Sequence, residues 1–401
     1  VAECRTGSTV ADDGSTGTTP KVLWVTPTLS SAFGGPTSTA VNGVIAEKMC
    51  GLPTVIATTV HPDGIRDSAP ALDRLSSAGV ATRVFPRVGR FSSSETWGLS
   101  SGMAVWLLRK VRSFDVIHLQ YVWCMSSLIG CFAAKLAGVP VVVTPHESLT
   151  DYDIEVASRS RPKRLLKMLL RQFYLRTVDR IVFMSELEKH DTFTADRETV
   201  LISHAVCERS VPPDRKAATG AEGPLRIGFL GRNIPKKGID RLIRSLGREP
   251  DRNWQLLIAG PPGSPEFREE QDRLSDELGV ADRVSWLGFL DSRSSLFEQC
   301  DVLAMPSAYE GFGMVSAEAM SHGVPVIVPR QSGVAEIVSE YAAGQVIEEP
   351  DTDHLFEALK RFDSARDMWL EFSKNGIRAV DERLTYAAYA SAVTRLYRSL
   401  P

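Results

Sequence analysis

Short runs of β-branched and aliphatic residues recur at 22–26, 54–58, 82–85, 116–119, 139–144 and 181–184, separated by longer stretches of helical period. Runs that are apolar on both faces, unlike the one-sided alternation of an antiparallel sheet, predict parallel strands covered above and below by helices. Between residues 212 and 224 the pattern lapses into Pro, Gly, Ala, Asp and Lys without hydrophobic period, as an interdomain linker does. A second series follows, with strands predicted at 225–230, 255–259, 284–287, 302–305, 325–328 and 345–347 and helices around 240–246, 266–278 and 315–321. The second half thus repeats the architecture of the first without a short-period sequence repeat, which is duplication of a fold type and not a solenoid. The predicted organisation is a disordered tail at 1–20, an N-terminal Rossmann-like domain at 21–211, the linker at 212–224 and a C-terminal Rossmann-like domain at 225–380. A last helical segment within 381–401 is expected to pack back on the first domain.

Composition narrows the class. A chain of 401 residues exceeds the usual single-domain size, and two domains imply a cleft. With 43% hydrophobic and 24% charged residues the chain reads as ordinary globular protein. The 46 Lys and Arg against 49 Asp and Glu leave a net charge of -3, so nothing draws the molecule as a whole to nucleic acid. Its six cysteines are scattered, without a CxxC pair or Cys/His cluster, which fits reduced thiols and no structural zinc. No apolar run reaches the length of a membrane span, and the first twenty residues lack the apolar core of a signal peptide, so a cytoplasmic location is expected.

Two segments carry chemistry. Gly228-Phe229-Leu230-Gly231-Arg232-Asn233-Ile234-Pro235-Lys236-Lys237-Gly238 follows the first strand of the second domain, at the carboxyl edge where doubly wound sheets bind ligands. Gly231 allows close backbone approach, and Arg232 and Lys237 suit a diphosphate, although the same cations would also suit a solvated loop. Pro306-Ser307-Ala308-Tyr309-Glu310-Gly311-Phe312-Gly313-Met314 then leads from a buried strand into a helix whose first N–H groups and dipole favour phosphate. Glu310 lies in the loop before that helix and Glu318 about one turn inside it, so one carboxylate can meet a sugar and the other ribose hydroxyls. Alternatively, Glu310 answers the helix dipole and Glu318 is a solvated side chain.

Glu310 and Glu318, with seven residues between them, resemble the E-x7-E motif of retaining GT-B glycosyltransferases of family 4. The similarity runs from about residue 21 to 339 and includes Gly323-Val324-Pro325-Val326-Ile327 and Gly333-Val334-Ala335-Glu336-Ile337. It implies an α/β fold of GT-B type, two Rossmann-like domains facing each other across a cleft, and transfer of a hexosyl unit from a nucleotide-diphosphate sugar. The resemblance implies that Glu310 binds the donor sugar, Glu318 the ribose, and Arg232 and Lys237 the diphosphate, with Met314 and Val315 amides on the phosphates or sugar. No metal ion or other cofactor is implied. Phe33-Gly34-Gly35-Pro36 resembles the family's glycine loop, which implies that Gly35 offers backbone amides near the diphosphate. Thr144-Pro145-His146-Glu147-Ser148 ends a strand where the family carries a functional His, which implies that His146 contacts the sugar at the reaction centre. His118, with Gln120 and Trp123 in the same stretch, is placed in the acceptor pocket. Gln120 stands where many relatives have a second His, and His204-Ala205 replaces the usual Asn-Gly.

The stretch 161–176 interleaves cations with aliphatics. On a helix Lys163, Lys167 and Arg171 share a face suited to anionic lipid headgroups, and the aliphatics share another that would equally serve to meet the sheet. A glycan or lipid-linked acceptor of envelope or exopolysaccharide assembly, handled by a chain resting on the inner face of the membrane, follows by analogy. Asp151-Tyr152-Asp153 spells a metal-binding DxD but is expected to hold no metal. Two other activities fit the same residues: an epimerase or hydrolase of nucleotide sugars, excluded if free nucleotide appears only with a hydroxyl acceptor, and a silent nucleotide-sugar-binding subunit, excluded by turnover of the isolated chain.

Overall fold

Thirteen strands form two parallel sheets in the computed structural model, which describes residues 19–61, 65–88, 97–156, 158, 160–194, 197–206, 223–290 and 292–401. The predicted tail, apart from Thr19 and Pro20, and all but the last two residues of the predicted linker lie outside the described residues. The first sheet has β1 (Val22–Thr26), β2 (Thr54–Val60), β3 (Ala81–Pro86), β4 (Val116–Gln120), β5 (Val141–Thr144), β6 (Arg180–Phe183) and β7 (Thr199–Leu201), in the order β3-β2-β1-β4-β5-β6-β7. The second has β8 (Leu225–Leu230), β9 (Trp254–Ala259), β10 (Val284–Gly288), β11 (Val302–Ala304), β12 (Val326–Pro329) and β13 (Gly344–Ile347), in the order β10-β9-β8-β11-β12-β13.

Central strands are buried along their whole length because helices cover both faces; β1, β4 and β5 are the clearest cases. The edge strands β3, β7 and β10 are partly exposed, and β7, three residues long, is the strand that hydrophobic runs alone did not mark. One face of the first sheet packs Leu23, Val25, Ile117, Leu119 and Phe183 against its helices. The other packs Val22, Trp24, Ile56 and Val142 against helix Gly35–Met49 and against the last helix, Tyr386–Arg398. That last helix follows the second domain in sequence yet buries Tyr389, Val393, Leu396 and Tyr397 in the first.

A buried polar cluster fixes this return. Glu47 accepts from Trp24 Nε1 at 3.1 Å, Thr54 Oγ1 at 2.9 Å and Tyr397 Oη at 2.7 Å. Desolvation pushes the Glu47 carboxyl up to about 7, against the pull of those hydrogen bonds. In both sheets the strand order reverses beside the first strand, between β1 and β4 and between β8 and β11, and the crevice beyond such a reversal is where open α/β sheets bind ligands.

Candidate active site

The loops after β8 and β11 flank the reversal in the second sheet and are tied together. Ala308 N–H donates to the Lys236 carbonyl at 2.8 Å, and Arg241 Nη1 donates to the Pro306 carbonyl at 2.7 Å. Gly238 has φ +74°, and a Cβ there would meet the Pro306 carbonyl at 2.4 Å, so this close approach requires glycine. Lys237 Nζ pairs with Glu310, and both side chains are largely shielded from water. Burial works to raise the Glu310 carboxyl, but Lys237 and then Lys236 outweigh it and hold the group below the ordinary carboxylate range. Gly313, at φ +95°, turns the chain into helix Met314–Ser321, whose first two amides, of Met314 and Val315, have no acceptor among the described residues. Arg232 stays exposed and forms no ion pair among the described residues. The structure therefore brings Arg232, Lys237, Glu310, Met314 and Val315 to one edge.

Glu318, in the same helix, is held by Arg293, whose Nη1 lies 2.5 Å from both carboxylate oxygens and whose Nη2 donates to Ser38 Oγ at 3.0 Å. Arg293 thus links the helix of the second domain to helix Gly35–Met49 of the first. Sequence reasoning missed it because its surroundings, Ser292-Arg293-Ser294, form no recognisable motif.

On the first-domain side Gly34 (φ +78°) precedes helix Gly35–Met49, and a Cβ on Gly34 or Gly35 would meet nothing within 4 Å, which leaves open space before the loop. Three non-glycine residues with positive φ, Tyr121 (70°), His146 (51°) and Glu147 (67°), follow β4 and β5 at this edge. Such conformations cost energy and concentrate where surroundings over-determine them at functional sites. His146 Nε2 lies 2.8 Å from Gln120 Oε1. The oxygen can only accept, so Nε2 carries the hydrogen and the neutral ring keeps Nδ1 as an acceptor. Burial lowers the His146 pKa to about 3, which keeps the ring neutral. The Gln120 substitution noted in the sequence thus sets the tautomer of His146. His204 stacks on His146 at 5.6 Å between centroids, and neither of its ring nitrogens, nor Gln120 Nε2, nor Asn233 Oδ1 has a partner among the described residues. Buried polar atoms of this kind ordinarily meet a partner.

Three expectations need correction. His118 does not line an acceptor pocket: it is fully buried in the sheet, with Nδ1 2.7 Å from Tyr397 Oη and Nε2 2.8 Å from Thr144 Oγ1. Since Tyr397 gives its hydrogen to Glu47, His118 must donate through Nδ1 and accept from Thr144, which occupies both nitrogens with structural work. Trp123 is also core, donating to Asp153 Oδ2 at 2.8 Å beneath Lys167. Helix Arg161–Thr177 sits the other way round from the expected cationic lipid face. Lys167 and Arg171 turn inward to Asp153 (2.5 Å) and Asp151 (2.8 Å), while Leu165, Leu166, Met168 and Leu169 face solvent. Lys167 and Arg171 lie four residues apart on one face of the helix, so pairing both with the preceding segment's carboxylates turns these aliphatics to solvent by helical geometry. The Asp151-Tyr152-Asp153 carboxylates therefore serve as counter-ions to this helix.

Comparison with known proteins matches both domains. The family model described as "Glycosyl transferase 4-like domain" matches residues 47–196, and that described as "Glycosyl transferases group 1" matches residues 211–379. Among curated proteins, the D-inositol 3-phosphate glycosyltransferase of Mycolicibacterium smegmatis is 30% identical over 266 residues, covering 62% of this chain and 60% of that protein. The protein of the same name from Saccharomonospora viridis is 27% identical over 359 residues, covering 83% of this chain and 82% of its own. The chain thus spans about three fifths of the length of the first of these relatives. Among solved structures, Anabaena Alr3699/HepE in complex with UDP and glucose superposes with a TM-score of 0.75 at 18% identity, covering 95% of this chain and 100% of that one. Sucrose-phosphate synthase from Thermosynechococcus elongatus gives a TM-score of 0.74 at 20% identity, covering 94% and 98%.

Proposed function

The chain belongs to the GT-B glycosyltransferases, and from that premise we propose that it moves a hexosyl unit from a nucleoside-diphosphate sugar to a hydroxyl acceptor with retention at the anomeric carbon. The bond from the anomeric carbon to the diphosphate oxygen breaks, the bond to the acceptor oxygen forms on the same face, and the acceptor proton passes to the leaving phosphate. Negative charge grows on the diphosphate, and Lys237, Arg232 and the amides of Met314 and Val315 stabilise it as preorganised electrostatics, without a metal ion in this proposal. Glu310 faces the sugar as positive character develops there, Glu318 takes the ribose hydroxyls, and Gly35 offers its amide to the diphosphate. His146, neutral, offers Nδ1 to a sugar hydroxyl. The observation that carries this reading is the shielded pairing of Lys237 with Glu310 beside a helix amino end with unclaimed amides.

Several acceptor classes merit trial. The relatives' name makes a phosphorylated polyol one of them, and UDP-glucose, bound by the Anabaena protein, is the first donor to test. A lipid-linked glycan of envelope or polysaccharide assembly is the other. No helix among the described residues is long and apolar enough to cross a membrane. Exposed Leu165, Leu166, Met168 and Leu169, beside exposed Arg161, Lys163 and Arg164, suit shallow contact with the anionic inner face of a cell membrane.

The test is a panel of nucleotide sugars scored by thermal shift, followed by turnover of each hit with and without a chelator. A donor that raises the melting temperature and releases nucleotide only with a hydroxyl acceptor, chelator present, is the expected outcome. Strict dependence on added manganese, or full transfer by Glu310→Ala, would overturn the assigned roles.

A further inference from the structure

The first domain sends one carboxylate across the cleft, from a residue that the reading above does not use. Glu147 follows His146 after β5, with both residues in the left-handed region. Its backbone is held from below: Glu188, capped by Ser185, accepts the Glu147 N–H at 2.7 Å. Its side chain reaches into the second domain, where Oε1 accepts the Gly311 N–H at 2.7 Å and Oε2 accepts from Lys236 Nζ at 2.6 Å. Ser185 Oγ donates to the carbonyl of the same Gly311 at 2.5 Å. Beside these contacts Tyr152 of the first domain stacks on Tyr309 of the second, 4.8 Å between centroids and 10° between planes, and Lys236 Nζ lies 5.5 and 5.7 Å from the two rings.

Two glycines record the same clasp. A Cβ on Gly311 would lie 2.5 Å from Glu147 Cγ, and one on Gly333 would lie 2.2 Å from the Gly311 carbonyl and 2.5 Å from Ser185 Oγ. Neither has a positive φ, so what excludes a side chain is closeness to the other domain or its partner loop, not backbone conformation.

Gly311 is the neighbour of Glu310, and Lys236 the neighbour of Lys237. We propose that Glu147 is a positioning residue for glycosyl transfer: by gripping Gly311 and Lys236 when the cleft closes, it fixes Glu310 and Lys237 against the donor and against His146. This rests on the donor-site reading above. Because the grip crosses domains, it aligns the donor half only in the closed state, in which water is also excluded from the reacting bond.

The test compares Glu147→Ala, Glu147→Gln and Gly311→Ala with the parent chain by solution X-ray scattering and by kinetics on the donor from the panel. Glu147→Ala is expected to raise the radius of gyration, lower kcat at least tenfold with a smaller change in donor KM, and raise the ratio of donor hydrolysis to transfer. Glu147→Gln keeps an oxygen for the Gly311 N–H and should recover part of kcat and of the hydrolysis ratio. Gly311→Ala, with the glutamate intact, should resemble Glu147→Ala. Unchanged scattering together with unchanged kcat and hydrolysis ratio in Glu147→Ala would overturn the proposal, as would equal loss in kcat from Ala and Gln without any shift in the ratio. A parent chain inactive on every donor would sink the transferase reading instead, and the scattering comparison would still decide whether the clasp exists.

Discussion

Replacing Lys237 by Met keeps the length and aliphatic contacts of the side chain and removes the charge. Lys237 is the cation paired with Glu310, and its neighbours compensate poorly: Lys236 is committed to Glu147, and Arg232 is exposed, where water screens it. Loss of one preorganised donor to a developing oxyanion costs about 10²–10³ in kcat, roughly 3–4 kcal/mol, and the shielding of this pair places the variant toward the upper end. A second effect has a definite sign. In the parent chain Lys237 and Lys236 overcome burial and keep Glu310 ionised well into the acid range. Without Lys237 burial has less opposition, the carboxyl titrates higher, and the acid limb of the kcat profile moves to higher pH. The assay is nucleotide release on the donor identified by thermal shift, from pH 5 to 9, with the melting temperature of the variant as control. A kcat within about threefold of the parent, or an unmoved acid limb, would refute the account of charge neutralisation by Lys237.

Glu47 titrates at about 7 in the fold against 4.5 as the ordinary value, so the folded chain holds a proton that the unfolded chain releases. Its contribution is full below about pH 4.5 and is lost as pH rises through 7, up to ~3 kcal/mol, and melting curves of Glu47→Gln from pH 5 to 8 should fall less steeply than those of the parent. Equal slopes would mean that Glu47 is ionised in the fold. Gln120→Leu removes the acceptor that sets the His146 tautomer and should lower kcat by about a hundredfold with little change in melting temperature, the scale of a displaced polar catalyst; retention of full kcat would leave His146 without the assigned role. Leu166→Asp with Leu169→Asp should abolish binding to vesicles containing anionic lipid while transfer to a water-soluble acceptor persists, and undiminished vesicle binding would remove this helix from the membrane contact.

The strands were legible because a parallel strand buried on both faces must be apolar throughout, and β1 and β8 begin and end where their runs do. β7 escaped because a three-residue edge strand carries no such demand. Which face of helix Arg161–Thr177 turns inward was not legible from its period, since both faces are regular and the deciding carboxylates, Asp151 and Asp153, lie in the preceding segment. His118 illustrates the same limit: its partner Tyr397 is 279 residues away, and no local pattern announces which helix will cover a strand.

The residues that motif and spacing picked out for the proposed donor site share one property: their placement follows from local backbone geometry, a strand end, a glycine turn and a helix start. Those that spacing missed, Arg293 and Glu147, act across the cleft, so their meaning depends on how two domains meet. Three ion pairs among the described residues of the cleft make the distinction chemical. Lys237–Glu310 and Arg293–Glu318 lie within the second domain and can persist however the domains are set, whereas Lys236–Glu147 exists only when they are together. In the proposed reaction a diphosphate meets Lys236 and Lys237 already balanced by carboxylates, with Arg232 alone unpaired among the described residues, and must gain more from Lys237 and the helix amides than Glu310 gives up. Interactions that strengthen as charge moves onto the leaving group satisfy that condition in the transition state more fully than in the bound donor, and this is the sense in which a self-paired site can favour transfer over mere binding.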